Sequence, residues 1–276
     1  MIPSLLIWDF NGTILNDGHL LVAVNNEMNR LRGLPEITYD YYREHFSHPP
    51  KPFYEKQGYN FDNEDYGEIS RVFLERYEEL QQEAELMSHV IEILTWAKEQ
   101  GIPQIVLSAH KQDMLERHLQ RLGIMDFFSH VSGESSHIIG GKVERAKVLA
   151  ESGAFDFSHA VLIGDTDHDF HAAQAMGAAC ILCSAGHQTK ERLLATGATV
   201  INDLKQVPHI LPTVIRKDVY IWKPKNYSIW IATLKNLKLP FSPARKIQNR
   251  QAAGLSFWIR PLSLRKVAVS LPIKAH

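Results

Sequence analysis

Short apolar runs alternate with segments of helical periodicity along most of this chain, and this alternation constrains the fold more than any other feature. The apolar runs lie at 4–10, 104–109, 160–164, 178–183 and 198–201. The helical segments lie at 88–100, 111–122, 142–152, 168–176 and 188–196. Buried strands that alternate with helices are typical of parallel sheets with right-handed crossovers. The sequence predicts an α/β fold with a doubly wound, Rossmann-like parallel sheet.

The segment between the first apolar run and the helix at 88 breaks this alternation. It contains no convincing strand, but apolar residues recur there at helical spacing: Leu21, Val24, Met28 and Leu31. Residues 65–82 have a second amphipathic, acidic helical pattern. We therefore expect 17–85 to form a helical cap that is inserted into an α/β core made of 1–16 and 86–212.

The charge of the chain changes sign near residue 212. Up to that point there are 17 Lys and Arg against 30 Asp and Glu, whereas 213–276 has 13 basic residues and one acid, Asp218. Such a break is typical of a domain boundary. Tryptophans among the cations leave a nucleic-acid or membrane role open, but no recognised nucleic-acid motif accompanies them. We expect 213–276 to be a basic tail of poor order.

The composition points to an ordinary globular protein. Apolar residues make up 45% of the 276 residues and charged residues 22%. No apolar run reaches the ~18 residues of a membrane span, and the first residues lack the pattern of a secretory signal. With only two cysteines, a disulfide scaffold is not expected, so we predict a cytoplasmic protein. The oligomeric state is left open.

Polar residues follow several of the predicted strands. Asp9 ends the first strand, Ser108 ends the strand at 104–109, and Asp165 follows the strand at 160–164, with Asp169 just beyond. Lys142 opens the helix before that strand. Ligands of open α/β sheets bind beyond the carboxyl ends of the strands. We expect three carboxylates, a hydroxyl and a cation to converge at this edge.

The order of these residues resembles the haloacid dehalogenase superfamily. The motifs are Asp9-Phe10-Asn11-Gly12-Thr13, then Ser108, Lys142 and Gly164-Asp165-x-x-x-Asp169. The resemblance covers residues 1 to about 212 and is closest to the subgroup that is similar to phosphoglycolate phosphatase, with an α-helical cap after the first motif. It implies a hydrolase of small phosphorylated metabolites, in which Asp9 is the nucleophile and an aspartyl phosphate forms.

The resemblance also implies a magnesium site. A carboxylate can attack phosphorus only if the repulsion between the anions is offset, which a divalent cation does. Magnesium prefers hard oxygen ligands. By resemblance, Asp9, the backbone carbonyl of Asn11 and Asp165 hold the Mg²⁺ ion, and Asp169 lies in its first or second coordination shell.

A further set of residues is expected to bind the substrate phosphate. Ser108, with Ala109 and Thr13, would donate hydrogen bonds to its oxygens, helped by N–H groups at a helix start. Lys142 would neutralise the phosphate and the nucleophile. Lys147 is its rival, but Lys142 lies at the loop–helix junction and is preferred.

Asn11 departs from the family pattern. Phosphatases of the family have an aspartate there, which protonates the leaving group and later activates water. An amide cannot transfer a proton in this way, and such general acid–base catalysis is worth roughly 10²–10⁴ in rate. Three interpretations remain: a slow or leaving-group-selective phosphatase, with His110 and His168 as substitute acids to consider; a catalytically weak phosphate-ligand binding protein; or different chemistry such as C–P cleavage.

Lys51 bears on the third interpretation. It lies in a proline-rich stretch of the predicted cap, His-Pro-Pro-Lys, which could carry it to the mouth of the core. Relatives that hydrolyse C–P bonds use a cap lysine as a Schiff-base amine. An anion-attracting or solvent-facing lysine is the preferred interpretation. Magnesium-dependent hydrolysis of a small phosphate monoester is therefore the leading prediction.

Overall fold

A computed structural model describes residues 2–134 and 141–217 of the chain. Its strands are β1 (Leu5–Trp8), β2 (Leu15–Asn16), β3 (Glu85–Leu86), β4 (Gln104–Lys111), β5 (His130–Glu134), β6 (Ala160–Gly164), β7 (Ala179–Cys183) and β8 (Thr199–Ile201). Its α-helices are α1 (Gly18–Leu31), α2 (Tyr39–His45), α3 (Lys51–Gln57), α4 (Tyr66–Gln81), α5 (Val90–Glu99), α6 (Gln112–Arg121), α7 (Lys142–Glu151), α8 (Asp167–Met176), α9 (Lys190–Ala195) and α10 (Val207–Lys217).

Six strands form one parallel sheet in the order β5-β4-β1-β6-β7-β8. The predicted doubly wound α/β sheet is therefore confirmed. The strand β5, at one edge, was not predicted. Its sequence, HVSGE, contains a serine, a glycine and a terminal acid. An edge strand of this kind is only partly buried and can contain polar residues. It therefore lacks the apolar run that marks the central strands.

The two faces of the sheet bury separate clusters. Leu6 and Trp8 of β1 belong to a cluster with α5, α6 and α10, whereas Leu5 and Ile7 belong to a cluster with α7 and α8. Successive side chains of a strand point to opposite faces. A central strand covered on both faces must therefore be apolar throughout, and all four residues of β1 are buried.

Four helices, α1 to α4, are inserted between β2 and β3, so the predicted helical cap is confirmed. The cap has its own small cluster, which includes Val24, Met28 and Ile69. The two chain segments that enter and leave the cap pair as antiparallel strands, with Leu15 opposite Leu86. The numbered boundaries between cap and core stay a prediction.

Two arginines connect the cap to the core on the side of β7. Arg43 on α2 donates to the backbone carbonyls of Ser184 and Gln188. Arg192 on α9 donates in the other direction, to the carbonyl of Phe46 at 2.6 Å and of Arg43 at 3.1 Å. The cap helix α2 is therefore fixed to the loop that follows β7.

The end of the core at residue 212 was placed too early. Helix α10 continues past Pro212 to Lys217. Val214 and Ile215 are buried in the cluster on the α5 face of the sheet. Proline suggested a stop because it removes a hydrogen bond inside a helix. Pro212 nevertheless lies within α10, and the apolar face continues beyond it. The rest of the predicted basic tail, 218–276, lies outside the described residues.

Across the described ranges, no helix is both long and apolar enough to cross a membrane.

Candidate active site

The order β4-β1-β6 at the centre of the sheet brings three predicted site residues together. Asp9 directly follows β1, Ser108 lies near the end of β4, and Asp165 directly follows β6. The carboxyl ends of adjacent parallel strands meet at one edge of a sheet, so these residues become neighbours. A cavity of about 470 Å³ lies between this edge and the cap helices. Among the predicted site residues, it is lined by Asp9, Asn11, Ser108, Ala109, Lys142 and Asp169.

Three buried carboxylates form the floor of the site. Asp9, Asp165 and Asp169 each offer an oxygen within 4.8 Å of the others. Lys142, itself buried, forms ion pairs with both Asp9 and Asp169. Lys147 is exposed and pairs with Glu144 at 2.6 Å. Of the two candidate lysines, only Lys142 therefore lies among the carboxylates.

The pKa values of Asp9 and Lys142 reflect the close packing of several buried charged groups. Burial, followed by repulsion from Asp169, raises the pKa of Asp9 well above its ordinary value, although Lys142 acts against this. Burial opposes the charge of Lys142 too, but attraction to Asp169 and Asp9 outweighs it and raises the lysine pKa. Lys142 is therefore held protonated, and one ammonium group does not neutralise three neighbouring carboxylates.

Asp169 is held by the first turn of α8. Its Oδ2 accepts hydrogen bonds from the backbone N–H of Thr166 at 2.9 Å, from the Thr166 hydroxyl at 2.7 Å, and from the backbone N–H of Asp165 at 3.1 Å. This reciprocal capping arrangement satisfies N–H groups that a helix start leaves unpaired. Its other oxygen contacts Lys142. Asp169 thus orients the lysine as well as facing the cluster.

Asp165 lies in a tight cradle. It accepts hydrogen bonds from the hydroxyl of Thr13 at 3.0 Å and from the backbone N–H of His187 at 2.6 Å. A Cβ atom at Gly12 or at Gly186 would overlap its carboxylate. Gly12 has a φ of 75°, which disfavours other residues as well. The backbone therefore fixes the position of this carboxylate from two sides.

The donor set fits a magnesium-class cation. Three buried carboxylates with one paired lysine leave the cluster negative, and carboxylate oxygens are the hard ligands that this ion prefers. Burial and Asp169 raise the pKa of Asp9, and a cation bound beside it would act in the opposite direction. Asp9, Asp165 and Asp169 are the residues that would hold the ion.

The side chain of Asn11 is committed to a buried network between core and cap. Its Nδ2 donates to Oδ2 of Asp17 and to the hydroxyl of Tyr77 on α4, both at 2.9 Å. Tyr77 donates in turn to Asp17 and accepts from Gln81 at 2.8 Å. The other oxygen of Asp17 accepts from the backbone N–H of Gly12 at 2.9 Å. The amide nitrogen of Asn11, both oxygens of Asp17 and the hydroxyl of Tyr77 are thus all hydrogen-bonded.

His187, in the loop after β7, completes the network with its Nε2 3.0 Å from Oδ1 of Asp17. Burial opposes its protonation, but the charges of Asp17 and Asp165 raise its pKa to about 9. For Asp17, burial acts to raise the pKa, but His187 and the hydrogen bonds of His187, Tyr77 and Asn11 lower it. The two residues therefore form a buried ion pair.

The two histidines considered as substitute acids both line the cavity. Nδ1 of His110 accepts from the backbone N–H of Lys111 at 3.1 Å, so its Nε2 carries the proton that faces Gln81 at 2.8 Å. Burial lowers the pKa of His110, and burial and Lys142 lower that of His168. Both imidazoles are therefore neutral at pH 7, and neither is prepared to donate a proton.

Two predicted site residues lie elsewhere. Lys51, at the start of α3, is exposed, and its Nζ lies 5.2 Å from the ring centre of Phe61. Lys51 is not among the residues that line the cavity. Its exposure agrees with the preferred interpretation, an anion-attracting or solvent-facing lysine, and the substrate and Schiff-base roles considered for it stay predictions. Thr13 is buried and does not line the cavity, because its hydroxyl is used to orient Asp165. Its predicted contact with the phosphate is replaced by this supporting role.

Sequence reasoning missed Asp17, Tyr77 and His187. They are 60 to 170 positions apart, so no local spacing could link them. One signal was available for His187: it follows β7 at the same sheet edge as the carboxylates, where polar residues are expected to face a ligand.

The geometry agrees with what comparisons with known proteins show. The family model described as haloacid dehalogenase-like hydrolase matches residues 6–183. No curated protein sequence matches the chain. Solved structures share the fold at low identity.

A haloacid dehalogenase-like family hydrolase from Streptococcus pneumoniae has a TM-score of 0.60 and 16% identity, over 75% of this chain and 97% of its own. A protein titled a predicted phosphoglycolate phosphatase, from Haemophilus somnus, has a TM-score of 0.61 and 18% identity, over 75% and 97%. CbbY from Rhodobacter sphaeroides, in complex with xylulose-(1,5)bisphosphate, has a TM-score of 0.58 and 19% identity, over 73% and 95%.

Proposed function

We propose that this chain, which belongs to the haloacid dehalogenase-like hydrolase family, is a magnesium-dependent phosphatase of small organic phosphate monoesters. The observation that carries the proposal is the contact of Lys142 with both Asp9 and Asp169, beside Asp165, at the floor of a cavity closed by the cap. Relatives of similar fold include proteins titled as phosphatases and one that holds a sugar bisphosphate.

Asp9 is the proposed nucleophile. It lies at the end of a buried strand, lines the cavity and is held by Lys142. A magnesium ion bound by the carboxylates would keep Asp9 ionised and offset the charge of the phosphate. An oxygen of Asp9 then attacks phosphorus in line with the ester oxygen, whose bond to phosphorus breaks. Water next attacks the aspartyl phosphate, which releases inorganic phosphate and restores the Asp9 carboxylate.

Ser108 and Lys142 are the proposed phosphate ligands. Ser108 is buried in the second half of β4, and its hydroxyl oxygen accepts from the backbone N–H of His110 at 3.1 Å. The hydroxyl hydrogen is left for a phosphate oxygen. Lys142 supplies a fixed positive charge beside the nucleophile, which is the kind of preorganised stabilisation that phosphoryl transfer needs.

One observation favours a second candidate. The amide of Asn11 is held by Asp17 and Tyr77, burial lowers the pKa of His110 and of His168, and the protonated His187 is paired with Asp17. Among the described residues, no unpaired general acid for the leaving group therefore lines the cavity. A protein with the phosphate site but without this acid could bind phosphate ligands with little turnover. This candidate differs from the first only in rate.

Substitution of the nucleophile tests both candidates. We expect the wild type to release phosphate from 4-nitrophenyl phosphate with Mg²⁺, and Asp9→Asn to lose this activity while its unfolding midpoint is retained. Asp113→Asn, the same change at an exposed position, is the control and should keep wild-type activity. A wild-type rate in Asp9→Asn would exclude the aspartyl mechanism. A wild type that binds phosphate but does not turn over would support the binding protein.

A further inference from the structure

Two buried polar side chains of the cap border the cavity without a hydrogen-bond partner among the described residues. Asn25 on α1 is 2% exposed, and neither atom of its amide is paired. Tyr42 on α2 is also 2% exposed, and its hydroxyl is unpaired. Buried polar groups are almost always paired, and those that are not need an explanation. A ligand group in the cavity would provide the missing partner.

The next turn of the same helix shows what a purely structural asparagine looks like here. Asn29 is fully buried and does not line the cavity. Its Nδ2 donates to the carbonyl of Pro35 and to Oε1 of Gln57, both at 2.9 Å, and its Oδ1 accepts from the hydroxyl of Tyr59 at 2.9 Å. Asn25 and Asn29 are one turn apart on the same helix. The difference in their hydrogen bonding therefore comes from their surroundings, since Asn25 faces the cavity and Asn29 faces other cap residues.

The cap side of the cavity is aromatic. Seven aromatic residues of the cap line it: Tyr42, Phe46, Phe53, Tyr54, Tyr66, Phe73 and Tyr77. Several contact one another, as in the 4.9 Å stacking of Tyr42 on Phe46 and the edge-on contact of Phe46 with Phe53 at 5.7 Å. Aromatic rings are attracted to other rings in such stacked and edge-on arrangements. This wall therefore favours a flat, unsaturated organic group.

The same wall offers no spare cation for a second acidic group of a substrate. Within the described part of the chain, the lysines that line the cavity are Lys142, paired with Asp9 and Asp169, and Lys111, paired with Glu78 at 3.3 Å. No arginine of the described ranges lines it. His187 also lines the cavity, but it is paired with Asp17. A substrate carboxylate or second phosphate would therefore meet no unpaired cationic side chain of the described ranges, and a neutral hydrogen bond offsets the lost hydration of a charge less well.

The chemistry of the leaving group points the same way. Asn11 cannot protonate a leaving oxygen, and its amide is held by Asp17 and Tyr77. An alkoxide leaves poorly without a proton, whereas a phenolate is stable enough to leave as the anion. The site therefore suits an ester whose oxygen is attached to an aromatic ring.

We propose that the substrate is an aryl phosphate monoester whose leaving group is a phenol without a further charge, and whose ring carries a hydroxyl or amide group that pairs with Asn25 and Tyr42. The proposal rests on the phosphatase function above and adds the class of leaving group to it. Asp9 forms a bond to phosphorus as the bond from phosphorus to the phenol oxygen breaks, and the phenolate takes a proton from solvent after it leaves. Water then hydrolyses the aspartyl phosphate to Asp9 and phosphate.

The test compares two substrates that differ in one group. We expect kcat/KM of the wild type with Mg²⁺ to be about 10-fold higher or more for the better of 3- and 4-hydroxyphenyl phosphate than for phenyl phosphate, since hydrogen-bonding sites discriminate strongly. Phosphoglycolate should be a poorer substrate than either. Asn25→Leu, nearly isosteric, and Tyr42→Phe should each bring the ratio of kcat/KM for the hydroxyphenyl and phenyl substrates toward 1, whereas the exposed control Asp113→Asn should leave this ratio unchanged.

The unfolding midpoint of the variants distinguishes a role of Asn25 in substrate recognition from a role in stability. Asn25→Leu removes an unpaired amide and should raise the unfolding midpoint of the ligand-free protein, because an apolar side chain of the same shape fits such a site as well or better. The matched control Asn29→Leu removes three hydrogen bonds and should lower the midpoint while the preference for the hydroxyl stays unchanged. Tyr59→Phe is a milder control of the same kind.

The outcomes of the two proposals are distinguishable. If no phosphate ester is hydrolysed, the phosphatase function fails. If phenyl phosphate is hydrolysed in an Asp9-dependent way, but phosphoglycolate is preferred or Asn25→Leu and Tyr42→Phe leave the hydroxyl preference intact, the phosphatase function stands and the aryl substrate class is overturned. A lower midpoint in Asn25→Leu would also overturn it, since the amide would then have a structural role.

Discussion

The side-chain amide of Asn11 donates a 2.9 Å hydrogen bond to Oδ2 of Asp17, the last residue before the first cap helix. The position at which related phosphatases carry an acid is thus occupied by a donor to a different acid. Asp17 is fully buried, and its charge is balanced by His187. The departure at position 11 is therefore part of a network.

Asn11→Asp should create the missing acid. The new carboxyl would face Asp17, and two carboxyls in such contact cannot both ionise easily, so one stays protonated near neutral pH. We expect the rate with alkyl phosphates to rise by about 10²-fold, and the rate with aryl phosphates to rise less. Steady-state assays with glycerol phosphate and 4-nitrophenyl phosphate measure this. Asn11→Ala removes the amide without adding an acid and should show no gain.

The same variant should become sensitive to alkaline pH. A carboxyl whose pKa is raised in the folded state binds a proton that the unfolded state has lost, so the stability of Asn11→Asp falls as pH rises above the ordinary carboxyl pKa. The unfolding midpoint relative to wild type should therefore be lower at pH 8 than at pH 5. Equal differences at both values would show that Asp17 and the new carboxyl do not interact.

His118 should make the protein sensitive to acid. Burial, followed by the charges of His110 and Arg121, lowers its pKa from 6.5 to about 4. Between these values the unfolded state binds the proton and the folded state does not, so stability falls as pH drops from 6.5 toward 4. The contribution is at most about 3 kcal/mol. His118→Gln should reduce the loss measured by urea unfolding at pH 7 and pH 4.5, whereas the exposed control His171→Gln should not.

Magnesium should stabilise the folded protein in the absence of substrate. An ion that binds only the folded state, at 100 times its Kd, adds about 2.7 kcal/mol to the free energy of unfolding. We expect thermal unfolding with Mg²⁺ to occur at a higher temperature than with EDTA. Asp165→Asn should abolish the difference, and Asp113→Asn, which removes one charge at an exposed position, should retain it. No shift in the wild type would argue against the metal site.

The C-terminal boundary of the core can be tested by truncating the side chain of Ile215. Ile215 is 3% exposed in the cluster that includes Leu94 and Val207. Ile215→Ala in the full chain should lower the free energy of unfolding by about 2–5 kcal/mol. Thr213→Ala, at an exposed position of the same helix, should change it little. If the two variants unfold alike, the core ends before Ile215, near the originally predicted residue 212.

Local sequence patterns were sufficient to predict the central strands and much of the site at their carboxyl ends. Runs such as SLLIWDF are buried on both faces, so they identify strands, and parallel strands place Asp9, Ser108 and Asp165 side by side. The edge strand β5 was missed because it is half covered and carries no apolar run. The direction of Lys51 could not be read from sequence, because it depends on how the cap packs.

The contacts between cap and core were also beyond sequence reasoning. Tyr77 lies on the cap helix α4, Asp17 directly precedes α1, and His187 belongs to the core. Their pairing depends on how the cap sits over the sheet, which no spacing encodes. The unpaired state of Asn25 is equally a property of its surroundings, since Asn29, the same residue one turn later, is fully paired.

The pairing of β2 with β3 has a consequence for how much freedom the cap retains. The chain enters and leaves the cap through two strands that are hydrogen-bonded to each other, with Leu15 opposite Leu86 and the N–H of Met87 bonded to the carbonyl of Ile14 at 2.8 Å. Arg43 and Arg192 join α2 to the core at a second place. An insertion held at two places has little conformational freedom left to lose when a ligand binds, so ordering the cap subtracts little from the free energy of binding.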